Sequence, residues 1–449
     1  MTDKTEKTDE PPKINSILDI TQALDEDDSI VSWNLMEINP VSGAQYNNPG
    51  NITVNVNNSD DFYHPAYSWL EVEGQLVKTN GNVYRADEMI SFVNYGILFL
   101  FDQMKYCLNN TPIDTVFNPG FIANVFSLAT NPENFKAGLL ECYAPDSNLL
   151  VTDDNLGFKA RRSLILASEP DPLGVFRFSV PLKRFFGFCD DYGKVMYGFA
   201  HNLIMTRSST DNNALMHTPW HDHAQRAGGE IYAGKVILSN IRWMLPRITP
   251  EVIAGMTLSK LVKDRKTLEC GFRMRQHISL AVPQSNTFTW RLGVRSSPEQ
   301  PRYIFLAFQS DKMEDQSCNN AVYDHCNLTN AHILLNNERY PLNDFTTNFR
   351  RNYFTYFYNE FIGFKKKFYG IDPAVSSVYV GPMDFKDRYP IFVFDVSKQS
   401  ERLKSGVTDI TLQCRFGANV PANTVAHVMM ISDRKLKFQS DGEKLSVIF

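Results

Sequence analysis

The chain lacks the short patterns on which most enzyme sites are built. It contains no GxGxxG, Walker A, GxSxG or HExxH sequence, so phosphate cradling, acyl transfer and zinc hydrolysis have no motif to rest on. Cysteine is sparse and scattered: seven in 449 residues, an odd count with no CxxC. That excludes a disulfide framework and predicts reduced, structural thiols in a cytosolic or nuclear setting. Long apolar runs are missing too. The longest, around Tyr95–Phe101, falls far short of the ~20 residues that span a bilayer, and the polar, acidic N-terminus predicts no signal peptide. A basic arm is also absent. Residues 1–30 hold three lysines against nine acids, a net −6, which leaves the other 419 residues at +1. Tight, sequence-specific nucleic-acid binding is not expected of such a chain.

Aromatic and apolar side chains are plentiful. Hydrophobic residues make up 43% and aromatics 12%, with 32 Phe and 19 Tyr. Aromatics suit pleated, half-buried surfaces, so the composition leans towards β. The length predicts two or three packed units. Residues 1–13 read as disordered, and Ile14, Ile17, Leu18 and Leu24 fall near one helical face ended by Asp25–Asp28, so residues 1–30 read either as an acidic solvated tail or as a short docking helix that packs on a neighbouring subunit.

Strand patterns then dominate. They occur at 51–56, 70–76, 176–180, 195–201 and 235–243, with Tyr106-Cys-Leu entering a hairpin turn at Asn109-Asn110. Met89–Leu100 is ambiguous between helix and buried strand. The second half carries strands at 270–282, 287–294, 303–309, 332–335, 391–396, 409–416, 425–431 and 435–439. Two helices stand out. Thr249-Pro250-Glu251 opens one over 249–265. Phe345, Phe349, Tyr353, Phe357, Phe361 and Phe368 form the stripe of another over 344–369, and Lys365–Lys367 match its C-terminal dipole. The implied layout is a tail at 1–30, a first β unit at 31–248, a linker helix at 249–265 and a second β unit at 266–449.

Three constellations could carry chemistry. His217, His221 and His223 could converge on a zinc ion, but they sit in a polar loop without Cys or a spaced carboxylate, so no metal or cofactor is assigned. Asp190-Asp191 resemble paired carboxylates; neighbours on a strand point to opposite faces, and a turn is the simpler expectation. Asp324-His325-Cys326 has nucleophile-like residues, but triads are assembled from distant segments.

The ordered blocks of the chain carry a resemblance. Val180-Pro-Leu-Lys-Arg-Phe-Phe-Gly-Phe-Cys-Asp-Asp-Tyr192, Asp211–Ala214, Val282–Val294, Pro301–Gln309, Tyr323–Asn327, Asn337–Pro341, Phe392–Ser400, Val420–Thr424 and Ile431–Arg434 together resemble the double jelly-roll major capsid proteins of Polinton (Maverick) elements and adintoviruses, and related capsid-like proteins in animal genomes. The resemblance covers roughly residues 50–449 and is looser over 30–170. It implies an all-β double jelly roll: two β-sandwich barrels side by side, one helix linking them near residue 250 and one within the second. It also implies a structural, non-enzymatic DNA-virus protein that forms homotrimers of pseudo-hexagonal outline. These would tile an icosahedral shell in the virion, beside penton or vertex and cement proteins, after assembly in the host nucleus or cytoplasm. On that view Trp290, Phe308 and Phe394 are core candidates, and Lys183, Arg184 and Arg339 are interface charges. Two rival readings remain at this stage: a non-viral or domesticated β-sandwich binding or adaptor module, and a cupin-type metal enzyme.

Overall fold

The computed structural model describes residues 29–41, 43, 45–85, 88–152, 154–165, 174–217, 233–295, 299–400, 406–440 and 445–449. The docking-helix segment, His221 and His223 lie outside these.

Sixteen strands build two sandwiches. The first uses β1 (Ile30–Ile38), β2 (Gly50–Val56), β3 (Trp69–Lys78), β4 (Phe101–Leu108), β5 (Thr111–Phe117), β6 (Val175–Pro181), β7 (His201–Arg207) and β8 (Gly234–Pro250). The second uses β9 (Leu268–Ala281), β10 (Thr287–Arg295), β11 (Pro301–Ser310), β12 (Leu328–Leu335), β13 (Glu338–Tyr340), β14 (Phe392–Asp395), β15 (Thr408–Phe416) and β16 (Thr424–Ser440). The sheets run β1-β8-β3-β6 and β2-β7-β4-β5, then β9-β16-β11-β14 and β10-β15-β12-β13. Adding eight to each label converts the first barrel into the second. Every pairing is antiparallel, as in jelly rolls. The sequence shows no matching repeat, because the topology needs only alternation and turn positions.

The alternation is visible strand by strand. Ile52, Val54 and Val56 of β2 are buried and their neighbours are not. Phe176, Phe178 and Val180 of β6 do the same. Asn109 and Asn110 turn the β4–β5 hairpin with φ of 49° and 65°, a left-handed pair that Asn tolerates well.

Besides short helices at Gly96–Phe99 and Pro382–Asp387, the described residues hold α1 (Pro119–Thr130), α2 (Leu156–Ile165), α3 (Gly187–Asp191), α4 (Val252–Lys263) and α5 (Thr355–Tyr369). Helices α1 and α5 follow β5 and β13, so each barrel carries its main helix at the same topological position. Helix α1 had no expectation attached, although Asn118 caps it through Phe121 N (3.2 Å) and Pro119 starts it.

Several boundaries differ from expectation. Pro250 ends β8, and the cap of α4 is the Glu251 carboxylate, which accepts from Ile253 N and Ala254 N. Helix α5 starts at Thr355, because Asn352 is left-handed (φ 58°) and breaks the aromatic stripe. Phe345 still stacks on Tyr356 at 3.6 Å from outside the helix. Strand β7 begins where the 195–201 strand was expected to end. Strand β16 is one strand where two were expected, and Met89–Leu100 divides into a short strand (Ile90–Phe92) and one helical turn (Gly96–Phe99).

Candidate functional site at the inter-barrel seam

The residues with the most demanding electrostatics lie where the barrels meet. Strand β9 forms one edge of its sheet, and an uncovered edge would leave backbone groups unpaired. Helix α3 of the first barrel covers it. The approach is close enough that a Cβ on Gly187 would lie 1.9 Å from the Arg273 carbonyl oxygen, so only glycine fits there.

Asp190 and Asp191 close the last turn of α3, where a simple turn was expected. They do not share a proton; each holds an arginine of the second barrel. Asp191 accepts from Arg273 Nη2 at 2.5 Å, from Nε at 2.9 Å and from the β9 backbone N of Arg273 at 2.7 Å. Asp190 pairs with Arg275, whose side chain is fully buried. Arg275 also donates to the carbonyls of Lys183 and Arg184 at 2.9 and 3.0 Å. The guanidinium of Arg273 lies 3.3 Å from the Phe368 ring centroid, and that of Arg275 lies 3.5 Å from Phe126. Buried, bidentate, ring-stacked arginine is the arrangement in which a desolvated cation is tolerated.

Arg273, Arg275 and His277 alternate along β9 and share one face. His277 Nε2 lies 3.1 Å from His427 Nδ1, and Phe121 of α1 stacks against both rings. Burial lowers both histidine pKa values, that of His427 to about 4; for His277 the neighbouring His427 adds to the effect. Asp114, which accepts from Phe188 N at 3.0 Å, is pushed up to about 6 by burial.

A second set of cross-barrel bonds is centred on Asp146, which Arg161 holds from within the first barrel. Arg161 and Asp146 pair at 2.7 Å with both side chains fully buried. Asp146 also accepts from Asn319 Nδ2 (2.9 Å), and its backbone N donates to Tyr389 OH (2.7 Å). Asn124 of α1 donates to Ala321 O at 2.9 Å. The seam thus carries two separate sets of buried cross-barrel hydrogen bonds, of the kind that fix one relative orientation.

The expected site residues are distributed as follows. Phe308 and Phe394 are in the core, at 0% and 2% exposure. Trp290 is only half-buried at the core's margin, because β10 is an edge strand of its sheet. Lys183 is exposed. Arg184 holds Glu141 through Nε and Nη2 at 2.7 and 2.9 Å and lies over Phe135. Arg339 is half-buried and pairs with Asp344 in the same chain. His217 is buried, with its backbone N bonded to Gln316 O. Asp324 pairs with Lys312 at 2.6 Å, and His325 stacks on Phe349 at 4.3 Å, so no triad forms. Among the described residues no His/Cys/Asp/Glu group could hold a metal, and no helix is long and apolar enough to cross a membrane.

Sequence reasoning missed Arg273, Arg275, Asp146 and Arg161. The available signal was Arg273-Met-Arg275 inside a strand pattern, with a paired Asp in the preceding unit.

No curated protein sequence matches the chain. Solved structures resemble it at low identity over nearly full length. A chain of the Sputnik virophage structure matches at TM-score 0.57 and 11% identity, covering 100% of this chain and 95% of that one. The mavirus major capsid protein matches at TM-score 0.56 and 12% identity, covering 100% and 97%. The Faustovirus major capsid protein matches at TM-score 0.54 and 8% identity, covering 96% and 93%. At these identities the likeness establishes the fold, a double jelly roll. Residues 150–436 match the family described as double jelly roll-like domain; the chain belongs to that family.

Proposed function

We propose that this chain is a major capsid protein, a structural subunit with no catalytic role. The observation that carries the reading is the seam. Two barrels of identical topology are locked in one orientation by buried ion pairs, which makes the subunit a rigid block with two similar walls. A protein that bound a ligand through one barrel would not need that coupling. Three such blocks give six barrels around a threefold axis, a pseudo-hexagonal unit able to tile an icosahedral shell. The near-neutral body suits a lattice in which like subunits must touch. The finer assignments are a Polinton or adintovirus type, the virion as destination after assembly in the host nucleus or cytoplasm, and vertex and cement partners. With them go a tail at 1–30 and barrels at 31–248 and 266–449. The type, destination and partners are supported by the sequence blocks around Val180–Tyr192 and Val282–Val294, and the tail and barrel bounds by the charge and strand pattern.

Light scattering behind size-exclusion chromatography, with negative-stain imaging of the peak, tests this. A species near three times 51.3 kDa with a hexagonal outline is expected. A monomer that persists at high concentration would overturn the proposal and favour a binding or adaptor module.

A further inference from the structure

A cavity of about 360 Å³ is lined by three parts of the chain at once. Leu258 and Leu261 of the linker helix α4 form one wall, Phe62 and Phe199 of the first barrel a second, and Leu268 and Phe438 of the second barrel a third. These walls are braced against collapse. Phe62 stacks on Tyr197 at 4.5 Å, and Phe199 meets Phe438 edge-on at 4.9 Å. Asn109 Nδ2 donates to the Leu445 carbonyl and the Ser440 hydroxyl to that of Val262, so the second barrel is tied to the first barrel and to α4 beside the cavity. An apolar space that cannot close leaves its lining short of contact atoms and offers water few hydrogen bonds. Its volume falls within the ~300–1,000 Å³ of small-molecule sites, which are mostly apolar with a few polar groups to fix orientation.

The charges of the lining are confined to its mouth. Lys194 and Glu269 are its exposed members. Glu269 stands opposite Lys437 in the β9–β16 register, so a cation already faces it across the strands. Lys194 has no ion pair among the described residues. An apolar interior with an uncompensated cation at its opening is complementary to an amphiphile with an anionic head.

We propose that this cavity binds a free fatty acid, with the hydrocarbon chain inside and the carboxylate on Lys194. The bound chain touches both barrels and the linker helix, and so adds to the coupling between them. This does not rest on the capsid reading.

Titration calorimetry of the full chain with octanoate, decanoate and dodecanoate, each below its micelle concentration, tests it. Each added methylene should tighten binding about fourfold until the chain fills the cavity, and saturation should raise the melting temperature. Leu261→Trp fills the space from α4 and should abolish decanoate binding. Lys194→Ala changes an exposed side chain and leaves the walls intact. It should weaken decanoate about fivefold, the upper end for an exposed ion pair, and leave the affinity for decanol unchanged. Affinity independent of chain length, or no binding at all, would overturn the proposal. So would equal binding by wild type and Leu261→Trp, which would place the ligand on the exposed turn of α4 at Val252, Ile253 and Met256. Capture by anionic vesicles without affinity for soluble carboxylates would overturn it too, by assigning the surface to a membrane.

Discussion

If the seam works as a lock, its ion pairs should be coupled, and a double-mutant cycle on Asp190 and Arg275 measures this. The Arg275 side chain is fully buried and that of Asp190 is 8% exposed. Removing one member of such a pair leaves the other charge desolvated and typically costs ~3–5 kcal/mol. Asp190→Asn should fall near the lower end of that range, because Arg275 keeps two carbonyl acceptors and the Phe126 face. Arg275→Met leaves Asp190 with the Tyr369 hydroxyl at 2.6 Å and should cost as much or more. The double variant carries neither orphaned charge, so its cost should fall short of the sum by ~2 kcal/mol or more. Urea unfolding, followed by tryptophan fluorescence and by calorimetry, provides the readout. A weakened seam should also split one cooperative transition into two as the barrels uncouple. Additivity within ~0.5 kcal/mol would refute the argument, because it would mean the pair is solvated and makes no joint contribution.

Other outcomes follow from the same geometry. Gly187→Ala forces a methyl into the Arg273 carbonyl and should cost ~1–3 kcal/mol; an unchanged melting temperature would show that α3 can withdraw from β9 freely. Phe308→Ala should cost ~3–5 kcal/mol, whereas half-buried Trp290→Ala should cost about 1–2 kcal/mol; the reverse order in denaturant titrations would displace the core assignment. The folded-state pKa of His427 lies near 4, below the ordinary 6.5. Its contribution to stability is therefore complete above about pH 6.5 and is lost as pH falls towards 4, at up to ~1.4 kcal/mol per pH unit. Asp114, raised to about 6, acts with the opposite sign between about pH 6 and 3.8. His427→Gln should therefore flatten the acid limb of the stability profile, and parallel limbs for variant and wild type would contradict this.

The strands were legible in the sequence wherever one face is buried. Phe176, Phe178 and Val180 announce β6 by alternation alone, and Phe392 and Phe394 mark β14. The elements that escaped are those whose pattern is set by two neighbours at once. Every residue of α1 is buried, because it lies between the barrels, so it shows no polar stripe to reveal its period. Strand β1 has the reverse problem. Trp33 and Leu35 are exposed at a sheet edge while Met36 and Ile38 face the core, and alternation disappears where apolar residues occupy both faces. The arginines of β9 were visible as residue types, but their carboxylate partners lie over 80 positions away. Asp190-Asp191 and Arg273-Met-Arg275 look ordinary separately, and no local pattern connects them.

The position of β8 has a consequence for synthesis. The eight strands of the first barrel all lie before residue 251, so this barrel can close while the rest of the chain is still being made. Roughly 200 residues then remain, about 10–40 s of translation at ordinary rates. Throughout that interval the half-finished molecule displays Phe121 and Phe126 of α1 and the carboxylates of α3, with the second barrel not yet there to cover them. A nascent chain of this kind is most vulnerable to aggregation when its first half is already folded, and chaperone capture should concentrate on chains stalled between the end of α4 and the completion of β16.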